Sequence, residues 1–217
     1  MKILTEFDLS LSNSEIVKLL TSNKAKKKSS KEPSESLISD IEKMKDIANT
    51  LISPKAIFDF FDSTKLTPKF LFKQSEQTIL AVCTIGKELE KESERLMKNN
   101  SLFGGVILDA IASHAAEVLA DKLNEFLIKK IEKDFQGLKY TNRFSPGYCK
   151  WTIEKGQETI FSLLPANEIG VRLSESYMMI PRKSISFAIN IGSEVDTLLG
   201  IRECSTCNEI NCAYRRD

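Results

Sequence analysis

Arg143-Phe144-Ser145-Pro146-Gly147-Tyr148 combines a forked cation, a turn dipeptide and an aromatic ring with a polar tip. Pro146-Gly147 sets a turn in which glycine can adopt positive φ and let backbone amides approach a ligand. Arg143 offers planar donors suited to a carboxylate. Tyr148 presents a flat apolar face with a hydroxyl at its end. Together they suit a small zwitterion carrying an aromatic group. The same residues also suit an ordinary β-turn with an Arg salt bridge.

A second group with chemical potential closes the chain. Cys204, Cys207 and Cys212 have the spacing CxxCxxxxC. The first pair can chelate one soft metal ion, and a third thiolate can join by a turn. A fourth ligand is the rule for zinc and for an iron–sulfur cluster. Cys149, directly after Tyr148, is the natural candidate, and Cys83, on an expected core strand, is a poorer one. The alternative is three reduced thiols in a flexible tail. His114 is the single histidine, so no cluster of histidines can be assembled. It reads as a packed or hydrogen-bonded structural side chain. No P-loop, GxGxxG or HExxH motif occurs.

The elements that must position these residues follow from periodicity. Ile3 to Leu9 reads as a first strand. Ser12-Asn13-Ser14-Glu15 caps a helix carrying Ile16, Val17, Leu19 and Leu20. Residues 21–34 are lysine-rich and expected to form a mobile loop. Pro33-Ser34-Glu35 opens a helix to about Thr50. Ala56–Phe61 and Gln77–Ile85 read as strands, followed by a charged helix from Lys87 to about Lys98. Phe103 to about Phe135 is one long helix with apolar residues recurring at three and four. Short strands are expected at Thr159–Phe161, Val171–Leu173 and Ser184–Ile191. Strands and helices mix without a regular βαβ rhythm, so the class is α+β. Residues 1–200 form the folded unit and 201–217 a Cys-rich tail.

Bulk numbers exclude several classes. The 217 residues are 41% hydrophobic and 28% charged, an ordinary globular composition. Lys plus Arg is 31 and Asp plus Glu is 30, which gives no pull toward nucleic acid or an anionic membrane. No run reaches the ~18 uninterrupted apolar residues of a membrane span. The N-terminus turns acidic too early for a secretory signal. Five cysteines, three of them in the tail, do not make a disulfide framework. A cytoplasmic location is expected.

Three segments, taken in order, resemble the reactivation (activation) domain of cobalamin-dependent methionine synthase. They are Ala120-Asp121-Lys122-Leu123-Asn124-Glu125, then Arg143–Tyr148, then Leu173-Ser174-Glu175-Ser176-Tyr177-Met178-Met179-Ile180-Pro181. The family patterns are ADRLAE on a helix, RxxPGY in a loop and LTESxxMxP before a strand. The resemblance implies one α+β domain with a twisted antiparallel sheet flanked by helices. It also implies S-adenosylmethionine bound by Glu125, by Arg143 and by the backbone at Ser145, Pro146 and Gly147, with Tyr148 turned toward a corrinoid. The implied partner is a corrinoid-dependent methionine synthase or related corrinoid protein that carries the cobalamin, with an electron donor. The implied role is reductive methylation of oxidised cob(II)alamin. Two features depart from the family. Ile52–Lys55 lacks the acidic residue expected near the end of an early helix, and 192–196 lacks the later tyrosine. A different class remains open: a metal- or iron–sulfur-bearing redox or interaction protein working through its Cys tail.

Overall fold

A computed structural model describes residues 1–22, 33–99 and 101–200. The elements run β1 (Lys2–Leu4), α1 (Asn13–Ser22), α2 (Glu35–Leu51), β2 (Lys55–Asp62), α3 (Lys69–Phe72), β3 (Gln77–Thr84), α4 (Glu88–Lys98) and α5 (Leu102–Asp134). They continue with β4 (Lys139–Tyr140), α6 (Ile153–Leu163), β5 (Arg172–Leu173), β6 (Met179–Ile180) and β7 (Ser184–Gly192). Five strands form an antiparallel sheet in the order β1-β2-β3-β7-β4, and β5 and β6 form a separate hairpin. The fold is α+β, as expected. The lysine-rich stretch lies mostly outside the described residues, and the Cys-rich tail lies wholly outside them.

The sheet has a core on each face because its central strands alternate. Ile79, Ala81 and Cys83 of β3 and Phe187, Ile189 and Ile191 of β7 join the core built with α1, α2, α4 and α5. Leu80, Val82 and Ala188 face the other way, toward Phe72, Phe144, Trp151 and Ile160. Both faces are covered, so β3 reads as a nearly continuous apolar run.

α5 spans the first core. By length and composition it could cross a membrane, but in this fold its apolar stripe is buried against the sheet and the other helices. Gly105 lets α4 come close: a Cβ there would lie 2.5 Å from Met97 Cγ and 2.8 Å from the Ser93 carbonyl oxygen. Ser93 Oγ donates to the Gly105 carbonyl at 2.8 Å across the same contact. Ser34 caps α2 by accepting from the Leu37 amide.

Two expectations are corrected. The first strand is only Lys2–Leu4; residues after it run on without strand pairing, and Phe7, Leu9 and Leu11 pack on the core. Thr159-Ile160-Phe161 is helical. Thr152 caps the Lys155 amide, and Gly156, Gln157 and Ile160 are buried at helical spacing. Packing of Ile160 into the Trp151 cluster overrides the strand preference of this β-branched and aromatic triplet.

His114 ties the N-terminal segment to α5: the Ser12 amide donates to His114 Nε2 at 3.0 Å. Burial holds its pKa below the usual 6.5; Glu15, Glu117 and Asp121 pull upward but do not prevail, and Lys45 adds to the lowering. As pH falls through about 6.5 the unfolded chain binds the proton first, so stability drops until the folded imidazole also protonates. Above that value both states are neutral and the contribution is flat. Urea unfolding at about pH 7.5 and about pH 5.5 is expected to show a loss on acidification that shrinks in His114→Gln. An equal loss in both proteins would assign the acid sensitivity to carboxylates alone.

Candidate functional site

The loop after β4 straddles the open edge of β7. Phe144 exchanges backbone hydrogen bonds with Ala188 at 3.0 and 2.8 Å, extending the ladder past β4. Strand alternation then sends neighbouring side chains to opposite faces. Phe144 enters the second core, with Phe72 and Trp151 rings at 6.3 and 5.8 Å. Arg143 crosses to the helix face, where its guanidinium lies 5.6 Å from the Phe187 ring centroid.

There Arg143 meets α5. Its Nη2 donates to Glu117 Oε2 and to Asp121 Oδ1, each at 2.9 Å. The Arg143 side chain is only 6% exposed, against 33% for Glu117 and 56% for Asp121. Glu117 and Asp121 are one turn apart, so both project from one face of α5. Arg143 Nε is buried and has no hydrogen-bond partner among the described residues.

Ser145 to Lys150 form a tight turn. The Tyr148 amide donates to the Ser145 carbonyl at 3.1 Å, the Gly147 amide to the Trp151 carbonyl at 2.7 Å, and the Trp151 amide to the Tyr148 carbonyl at 2.8 Å. Gly147 takes φ 95°, and Cys149 and Lys150 take 53° and 60°, a left-handed pair without glycine. Such a pair persists only where surroundings fix it. Here Cys149 is itself buried, as is Trp151, which follows the pair. Pro146 packs on Gly156 of α6, while Tyr148 is 57% exposed at the crest.

The structure thus gathers Arg143, Ser145, Pro146, Gly147 and Tyr148 in one loop. Glu125 stands apart from Arg143: it lies one turn beyond Asp121, is largely exposed, and pairs with Lys122 at 3.4 Å. Glu117 and Asp121 are additional polar partners that sequence reasoning missed. Their signal was available, because Glu117, Asp121 and Glu125 recur every four residues on one helix.

Two cavities flank these residues. One, of about 270 Å³, is lined by Phe70, Ser75, Thr141, Cys149, Asn190 and Asp196. The other, of about 530 Å³, lies between the segment Ile3–Asp8 and the α5 residues Lys122 and Phe126, which flank Glu125 in sequence. Arg143 lines neither.

No cluster of His, Cys, Asp or Glu suited to a metal ion occurs among the described residues. Cys204, Cys207 and Cys212 lie outside them. Cys83 is buried in β3, and burial pushes its thiol up to about 12, which disfavours the thiolate a metal requires.

Residues 56–196 match the family model described as vitamin B12 dependent methionine synthase, activation domain. The chain belongs to this family. The matched span includes α5, the Arg143–Tyr148 loop and β7. Among solved structures, the activation-domain family member shares its fold with the MetH reactivation domain crystallised with AdoHcy. The TM-score is 0.60 and the identity 15%, covering 90% of this chain and 79% of that one. No curated protein matches the chain.

Proposed function

We propose that this activation-domain protein binds S-adenosylmethionine beside the Arg143–Tyr148 loop and supports reactivation of oxidised cob(II)alamin carried by a methionine synthase or related corrinoid protein. One electron from a separate donor reduces the cobalt, which then takes the methyl group as the sulfonium S–CH₃ bond breaks and a Co–C bond forms. The chain's own contribution is positional: it holds the methyl donor so that the sulfonium methyl can face the corrinoid. The observation that carries this reading is a tightly fixed loop of the family's RxxPGY pattern, with its arginine seated on helix carboxylates and its tyrosine exposed at the crest.

Calorimetry with S-adenosylmethionine is the direct test. Binding is expected, and Arg143→Ala is expected to weaken it by about 2 kcal/mol, as for a lost charge-assisted contact. Tyr148→Ala is expected to impair reactivation of the corrinoid partner while leaving that affinity nearly unchanged. Absence of heat at millimolar ligand with wild-type protein would sink the reading.

A second reading has one observation in its favour. The described chain ends at Gly200, where an added Cβ would lie 3.0 Å from the Arg143 carbonyl oxygen, and Leu199 lines the same cavity as Cys149. Zinc or an iron–sulfur cluster on Cys149, Cys204, Cys207 and Cys212 would fasten the C-terminus to the active loop, and a cluster could pass the required electron. Elemental analysis of anaerobically prepared protein is expected to find up to about one equivalent of metal, released in Cys207→Ser. Metal-free wild-type protein would eliminate this reading.

A further inference from the structure

The cavity of about 270 Å³ lies where the loop ends, and Cys149 and Lys150 form part of its wall. Thr141 and Asn190 line it as well, and they are only 2% and 3% exposed. A buried chain of polar groups holds Asn190 in place. Ser63 Oγ and Thr78 Oγ1 are 2.8 Å apart, Thr78 Oγ1 donates to Asn190 Oδ1 at 2.9 Å, and Asn190 Nδ2 donates to the Leu71 carbonyl at 2.8 Å. Thr141 Oγ1 accepts from the Asn190 amide at 3.1 Å. These bonds leave two donors over: the Thr141 hydroxyl proton and the second Asn190 Nδ2 hydrogen have no acceptor among the described residues. Buried donors are rarely left without an acceptor. Both belong to side chains on the cavity wall, so the acceptor they suit is a molecule inside it.

The rest of the wall describes that molecule. Leu71, Val195 and Leu199 give an apolar lining. Lys150 and Asp196, both exposed, add one charge of each sign. Asp196 Oδ1 accepts from the Leu198 amide at 3.0 Å, which fixes its carboxylate. Two buried donors and the Lys150 ammonium suit a ligand carboxylate, and Asp196 suits a ligand ammonium. The apolar lining suits a hydrocarbon or thioether chain. The volume admits on the order of nine water-sized groups at about 30 Å³ each, close to the non-hydrogen atom count of a medium-sized amino acid.

We propose that this cavity is a second small-molecule site, which takes an α-amino acid with an unbranched apolar side chain. The ligand carboxylate meets Thr141, Asn190 and Lys150, and its ammonium meets Asp196. Arg143 does not line the cavity, so the site is separate from the one proposed for the methyl donor. Cys149 and Lys150 continue directly from Tyr148, so a bound amino acid braces the end of the loop.

The test is calorimetry of the full chain with L-methionine, L-norleucine, hexanoate and pentylamine. Both amino acids are expected to bind at one site, with hexanoate and pentylamine at least about tenfold weaker, since each lacks one charged group. Thr141→Val and Lys150→Gln are each expected to weaken both amino acids by about tenfold, while S-adenosylmethionine affinity stays unchanged. Lys150 is exposed, so its variant keeps the test independent of folding; circular dichroism and urea unfolding check Thr141→Val. No heat from either amino acid at millimolar concentration, hexanoate binding as well as norleucine, or full affinity retained in both variants would overturn the inference. One-for-one displacement of norleucine by S-adenosylmethionine would also overturn it, by making the cavity the amino-acid end of the methyl-donor site. Norleucine binding without any S-adenosylmethionine binding would leave this inference standing and sink the proposed function alone.

Discussion

Trp151→Ala is expected to lower stability by about 3–5 kcal/mol, the range for deleting a fully buried large aromatic. The ring is 1% exposed. It packs edge-on to Phe72 at 5.6 Å and tilted to Phe144 at 5.8 Å. Its Nε1 has no hydrogen-bond partner among the described residues, so the loss is one of transfer and cavity terms rather than of a polar contact. The consequence extends to the site, because the Trp151 backbone closes the turn by bonding both Gly147 and Tyr148. Phe144, which leans on the ring, is the neighbour that sets the alternation placing Arg143 on α5. S-adenosylmethionine affinity is therefore expected to fall along with stability, and Trp151→Phe to lose less of both. Urea unfolding measures the first effect and calorimetry the second. A loss under about 1 kcal/mol would show that the second core collapses readily around the gap, and that the loop is anchored elsewhere.

How much of this was legible in the sequence depended on whether the cause was local. The stripe predicting a helix from Phe103 to about Phe135 is realised as Leu102–Asp134, and the run Gln77–Ile85 as Gln77–Thr84, because burial patterns repeat with the period of the backbone itself. The α2 boundary was readable because Ser34 forms its cap within three residues. Thr159-Ile160-Phe161 was misread because its local preference is for strand, while the contact that decides the matter, Ile160 against the Trp151 cluster, is tertiary. The site divides in the same way. The turn at Pro146-Gly147 is a local property and was visible. That Arg143 would be held by Glu117 and Asp121 was not, since those partners lie 26 and 22 residues away and meet it only because β4 and β7 bring the loop over α5.

Gly156 gives the other large expected effect, and the sign is decided by two opposing magnitudes. It occupies the interior of α6, where alanine is favoured over glycine by about 1 kcal/mol. A Cβ at this position, however, would lie 2.6 Å from both Cβ and Cγ of Pro146 and 3.1 Å from Trp151 Cε2. Neither neighbour can turn aside: one is a pyrrolidine ring in the loop, the other a buried indole. Overpacking of this kind costs about 1–3 kcal/mol for a small group and more for a branched one. Gly156→Ala is therefore expected to lose about 1 kcal/mol net, and Gly156→Leu about 3 kcal/mol or more, since the helical gain stays nearly constant while the collision grows. Because the obstacle is Pro146 itself, relief must come from displacing the turn that carries Gly147 and Tyr148. Methyl-donor affinity should then fall at least about tenfold in Gly156→Leu even where circular dichroism still reports a folded chain. A stabilised Gly156→Ala, with a higher urea midpoint and unchanged ligand affinity, would mean that the loop moves freely on α6, and that its grip on Arg143 comes from the β7 edge alone.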